Sequence, residues 1–127
     1  MTSSEPSADL FEFPASVLLV EDNPIIAMNT EVLLEELGIG RVLTAGTVAD
    51  ALALVDRERF DLAILDLKLG EEEDSLPVAK QLDARGVPII FATGFGEDID
   101  LPERHGTARI LKKPYSFDDL QRLFRAG

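Results

Sequence analysis

Five short apolar runs, rich in aliphatic and β-branched residues, recur along the chain: SVLLV from Ser16, RVLTA from Arg41, LAILD from Leu62, VPIIFAT from Val87 and ARILK from Ala108. Helix-patterned text separates them. Strand-like runs that alternate with helices need a crossover between neighbours, so the strands pair in parallel and the helices cover both faces. In such an open sheet, ligands collect beyond the carboxyl ends of the strands, where the strand order reverses.

The stretches between the runs carry helix signals. Pro24 follows Glu21, Asp22 and Asn23, where a helix can begin, and Ile25, Ile26, Val32, Leu33 and Leu37 recur at helical spacing before Gly38 stops it. A second helix is expected over residues 48–58, with Ala49, Leu52, Ala53 and Val55 inward. Ser75 is expected to cap a third that runs through Leu82 or a little beyond to a stop at Gly86, and Pro88 fits near the start of the following strand. A short segment near residues 97–101 precedes the fifth strand. The last helix starts near Ser116, with Leu120, Leu123 and Phe124 as its inner face. Residues 1–14 are rich in Ser, Pro and acid but carry Phe11 and Phe13, which predicts a mobile N-terminal arm ahead of a single domain over 15–127.

Composition narrows the classes of function. With 127 residues and 46% hydrophobic content, the chain can bury one core without disulfides or structural metal. It has no cysteine, which excludes disulfides and thiolate metal sites. A net charge of −12 repels nucleic acid and anionic lipid surfaces. The first residues, MTSSEPSADLFEF, lack the basic start and long apolar core of a signal peptide, and no run approaches the ~20 apolar residues of a membrane span. A cytoplasmic protein with no nucleic-acid or membrane contact is expected.

The strand ends concentrate chemistry-bearing residues on one rim. The first strand runs into Glu21 and Asp22, the third ends at Asp66, the fourth at Thr93, and the fifth runs into Lys112, Lys113 and Pro114. An acid that closes the buried run FDLAILD has a rigid platform reached by solvent. Two carboxylates about 4 Å apart repel by about 4 kcal/mol at an effective dielectric near 20, which a hard divalent cation such as Mg²⁺ relieves with oxygen ligands. Asp22 and Asp66 suit direct ligation, Glu21 can orient bound water, and the Lys68 carbonyl can fill a further position. An Asp carboxylate is also a nucleophile towards phosphorus, and the metal, Lys113 and the Thr93 hydroxyl can together match the charge on a transferring phosphoryl group. Strand alternation turns only one of Lys112 and Lys113 inward, and the Lys-Pro-Tyr junction favours Lys113.

Glu21-Asp22, the LDLKLG around Asp66, FATG ending at Gly94, and Lys113-Pro114-Tyr115 resemble, in order and separation, the receiver domain of two-component response regulators. The resemblance covers residues 16–126 and implies a flavodoxin-like (βα)5 fold, a doubly wound five-stranded parallel sheet of order 2-1-3-4-5. It also implies Asp66 as phosphoacceptor, Glu21 and Asp22 as metal acids, Thr93 as switch hydroxyl and Lys113 as the lysine beside the phosphoryl group. The implied partners are a sensor histidine kinase or phosphotransfer protein and a further protein downstream, so the chain is a signalling phosphoacceptor rather than an enzyme. Two departures stand out. Ile110 occupies the position where the family usually has Tyr or Phe, and Pro102 interrupts a short stretch between Thr93 and Lys113, which predicts a short or irregular fourth helix. With FATGFGE, these departures resemble the FAT-GUY branch, whose members are often single-domain proteins working with HWE-type kinases. The alternative is a receiver-like interaction module that signals without phosphorylation. A metal-dependent phosphatase is a poorer match, because no acid stands two residues after Asp66 to protonate a leaving group.

Overall fold

The computed structural model describes residues 14–70, 73–94, 109–113 and 115–126. The strands are β1 (Ser16–Val20), β2 (Arg41–Ala45), β3 (Leu62–Asp66), a small hairpin of β4 (Lys68–Leu69) and β5 (Glu73–Asp74), then β6 (Ile89–Thr93) and β7 (Arg109–Lys112). The helices are α1 (Pro24–Glu36), α2 (Val48–Arg57), α3 (Leu76–Ala84) and α4 (Phe117–Ala126). β1, β2, β3, β6 and β7 form one sheet of order β2-β1-β3-β6-β7, with every pairing parallel. Setting aside the β4–β5 hairpin, this is the expected order 2-1-3-4-5. The chain order reverses between β1 and β3, so the rim beside those two strands is where a ligand site belongs.

Alternation along the strands divides the core between two faces. Leu18, Val20, Ala63, Leu65 and Phe91 pack with Ala51 and Val55 of α2 and with Val78, Ala79 and Leu82 of α3. Val17, Leu19, Leu62, Ile64 and Ile90 pack with Ala27 and Leu34 of α1 and Leu120 of α4. β3 is buried along its whole length, as expected of a central parallel strand covered on both sides. Full burial of each such aliphatic side chain contributes about 1.5–3 kcal/mol.

Local signals set most element boundaries. Asn23 caps α1, its Oδ1 accepting the Ile25 and Ile26 amides at 2.9 and 3.3 Å, with Pro24 in the first helical turn. Gly38 and Gly86 end α1 and α3 at φ of +101° and +74°, a region that side chains rarely adopt.

Three details differ from expectation. On α1, Ala27, Thr30 and Leu34 face the sheet, whereas Ile25 and Val32 are exposed at 71% and 48%. That helix carries apolar residues around most of its circumference, so spacing alone left its phase open. On α2, Ala51 and Val55 are buried, Leu52 is half-buried, and Ala49 and Ala53 face solvent. Ser75 precedes α3 but its hydroxyl does not cap it; Asp74 Oδ1 accepts the Leu76 amide at 3.0 Å instead. The Ser75 hydroxyl is buried with no hydrogen-bond partner among the described residues.

The β4–β5 hairpin was not foreseen. It pairs Lys68 with Asp74 and Leu69 with Glu73. The expected arm, apart from Pro14, and the expected short fourth helix before β7 lie outside the described residues. No helix among the described residues is long and apolar enough to cross a membrane.

Candidate functional site

The ends of four parallel strands, β1, β3, β6 and β7, deliver their side chains to the same rim. Glu21 and Asp22 follow β1, and the Glu21 amide continues the pairing with β2 by donating to the Ala45 carbonyl at 2.9 Å. Asp66 is the last residue of β3 and Thr93 the last of β6, and both are buried. Asp66 lies opposite Ala92, so Thr93 stands one residue further along the adjacent strand. Lys113 follows β7, its amide donating to the Thr93 carbonyl at 2.8 Å. Lys112 is exposed and Lys113 is turned in, as the alternation predicts.

The Lys113 ammonium bridges two of the acids. Nζ lies 2.8 Å from Glu21 Oε1 and 2.9 Å from Asp66 Oδ2. These charge-assisted bonds are shielded, since the lysine side chain is 16% exposed and the two acids less still. Glu21 is committed on both oxygens, because Oε2 accepts the Asn23 amide at 3.1 Å. Asp66 is committed on one only. Its Oδ1 is buried and has no hydrogen-bond partner among the described residues.

Oxygens of Glu21, Asp22 and Asp66 all lie within 4.8 Å of one another. Three carboxylates thus crowd one corner of the rim, and the Lys113 ammonium is bonded to two of them. Burial pushes the Asp66 carboxyl up to about 7, with the charge of Glu21 adding to the rise and the Lys113 hydrogen bond opposing it. Burial alone would push the Lys113 ammonium down, but its bonds to Asp66 and Glu21 outweigh that and hold it above its ordinary value. A hard divalent cation fits the set: it takes oxygen donors, satisfies the orphaned Oδ1 and relieves the repulsion among the acids.

The other expected site residues take simple positions. Lys68, two residues beyond Asp66, opens β4 with its side chain exposed. Ile110 is partly buried against the core cluster that includes Phe91 and Ala63. Phe95, the aromatic that follows Gly94 in FATGFGE, lies outside the described residues. Sequence reasoning missed the contact between Tyr115 and Thr30, whose hydroxyls are 2.7 Å apart across 85 residues of chain. The available signal was a threonine among the apolar residues of α1.

The response regulator receiver domain model matches residues 17–125. The chain belongs to that family. Among solved receivers and receiver-like structures, the solution structure of SdrG from Sphingomonas melonis Fr1 is 44% identical, with a TM-score of 0.74 over 85% of this chain and 91% of SdrG. The receiver domain of the sensor histidine kinase PA1611 from Pseudomonas aeruginosa is 30% identical, with a TM-score of 0.75 over 88% of this chain and 95% of that one. That structure holds a magnesium ion coordinated in its active site cleft. The transcriptional regulatory protein PdtaR of Mycobacterium tuberculosis is 33% identical over 124 residues, 94% of this receiver and 59% of PdtaR, so the chain spans about three fifths of that relative's length.

Proposed function

We propose that this receiver accepts a phosphoryl group onto Asp66 and later releases it to water, acting as a signalling phosphoacceptor. The observation that carries the reading is the buried Oδ1 of Asp66, without a hydrogen-bond partner among the described residues, on a carboxylate whose other oxygen is held by Lys113. The donor is a phosphohistidine on a sensor histidine kinase, HWE-type kinases included, or on a phosphotransfer protein. An Asp66 oxygen forms the new O–P bond, the donor's P–N bond breaks, and its electron pair stays on the imidazole nitrogen. In a separate dephosphorylation step, water attacks phosphorus, the acyl phosphate's P–O bond breaks with its electron pair left on the restored carboxylate, and inorganic phosphate and a proton are released.

Glu21, Asp22 and Asp66, with the Lys68 carbonyl, would hold Mg²⁺, which when bound neutralises charge on the acids and on the transferring group. Lys113 supplies a fixed positive charge at the end of β7, and Thr93 offers its hydroxyl from the end of β6. The ammonium already rests against Asp66, so little reorganisation is needed as negative charge develops.

Phosphorylation adds about −1.5 to −2 charge at neutral pH. Thr93 and the neighbouring rim respond to that charge, and the output is a contact with another protein or the sequestering of phosphate. A cytoplasmic setting suits this chemistry, and the net charge of −12 disfavours direct nucleic-acid or membrane contact. Exposure to acetyl phosphate with Mg²⁺, followed by intact mass measurement, tests the reading. One added phosphoryl group on the wild type and none on Asp66→Asn is expected, and an unmodified wild type would defeat it.

A further inference from the structure

Lys113 is anchored on one side by the hydrogen bond that its backbone amide donates to the Thr93 carbonyl. Two residues further on, Tyr115 is half-buried against the core cluster that contains Ala27 and Leu34 of α1. Its hydroxyl meets that of Thr30, which is buried on the same helix, at 2.7 Å. Thr30 Oγ1 also donates to the Ile26 carbonyl at 2.9 Å. A threonine hydroxyl has one proton, and that donation uses it, so the Tyr115 hydroxyl donates to Thr30. The lysine is thus flanked by a sheet contact before it and a helix contact after it. The helix involved is the one that Asn23 caps, and the Asn23 amide holds Glu21, Lys113's other partner.

We propose that Tyr115 is a positioning residue for Lys113: its hydrogen bond to Thr30 fixes the chain beyond β7, so that the ammonium stays between Glu21 and Asp66. Its role in phosphoryl uptake rests on the phosphoacceptor reading above; its role in holding the ammonium does not. Lysine carries four rotatable side-chain bonds, so a partner a few ångströms out of place is readily lost to solvent.

Tyr115→Phe removes the donor and keeps the ring, Thr30→Val removes the acceptor and keeps the shape, and Thr30→Ser keeps the acceptor. The Lys113 ammonium can be followed by ¹⁵N NMR in metal-free protein, and phosphoryl uptake from acetyl phosphate by intact mass. Wild type and Thr30→Ser are expected to show a hydrogen-bonded ammonium with slow proton exchange. Tyr115→Phe and Thr30→Val are expected to lose that signal and to take up phosphoryl about tenfold more slowly, the scale of one lost hydrogen bond. An ammonium that stays protected in both variants overturns the proposal, as does uptake in both at the rate of a wild type that itself takes up phosphoryl. Loss of the signal in both variants together with no uptake by wild type defeats the phosphoacceptor reading and leaves Tyr115 positioning the ammonium.

Discussion

Asp66 and Lys113 are separated by 47 residues of sequence and by 2.9 Å in the fold. Nothing local joins them. The contact exists because β3, β6 and β7 are successive neighbours in one parallel sheet, so their carboxyl ends share a rim. Removing the ammonium with Lys113→Ala should slow phosphoryl uptake by about a hundredfold, the typical effect of deleting one preorganised charge donor. Time courses of intact mass with acetyl phosphate and Mg²⁺ check this, and an unchanged rate would show that the ammonium takes no part.

The raised Asp66 carboxyl predicts an unusual pH dependence. Its folded value, about 7, lies above the ordinary 3.8, so the folded state binds the proton more tightly than the unfolded state. The stability this contributes is fully present below about 3.8 and is lost as pH rises through about 7. Lys113, also raised, contributes stability that is fully present below its ordinary 10.5 and is lost only above that value, so it adds no slope in that window. In metal-free buffer, wild type should therefore lose stability from pH 4 to 8 more steeply than Asp66→Asn, whose amide does not ionise. Thermal melts across that range measure it, and parallel curves would contradict the assignment.

A cation on the three acids should reverse the loss. At a concentration about 100 times its dissociation constant, Mg²⁺ would stabilise wild type by about 2.7 kcal/mol. Asp22→Asn and Asp66→Asn should gain much less in the same melts. Equal stabilisation of all three proteins would place the ion elsewhere.

How far the fold could be read from sequence follows from how many residues carry each signal. β1, β2 and β3 are continuous apolar runs, and their limits were legible nearly to the residue. The convergence of Glu21, Asp22, Asp66 and Lys113 followed from parallel-sheet topology, which puts every strand end on one rim. The phase of α1 did not follow, because Ile25, Met28 and Val32 are as apolar as the residues that pack. Only the sheet beneath decides that Thr30 turns inward, where Tyr115 and the Ile26 carbonyl satisfy its hydroxyl. The β4–β5 hairpin was illegible for a different reason. Its strands are two residues each and largely charged, so no alternation is long enough to register.

The observed phase of α1 is itself testable. Leu34→Ala should cost about 2–5 kcal/mol as a buried truncation, whereas Ile25→Ala on the exposed side should stay within about 0.5 kcal/mol. Urea unfolding of the two variants gives both values, and similar costs would mean that the helix is rotated from the position described.

The most direct measurement of the central claim is to locate the phosphoryl group itself. After reaction with acetyl phosphate and Mg²⁺, borohydride trapping of the acyl phosphate and peptide mass mapping should find the modification on Asp66 alone, and Asp66→Asn should remain unlabelled. Labelling at another residue, or none on the wild type, would contradict the account.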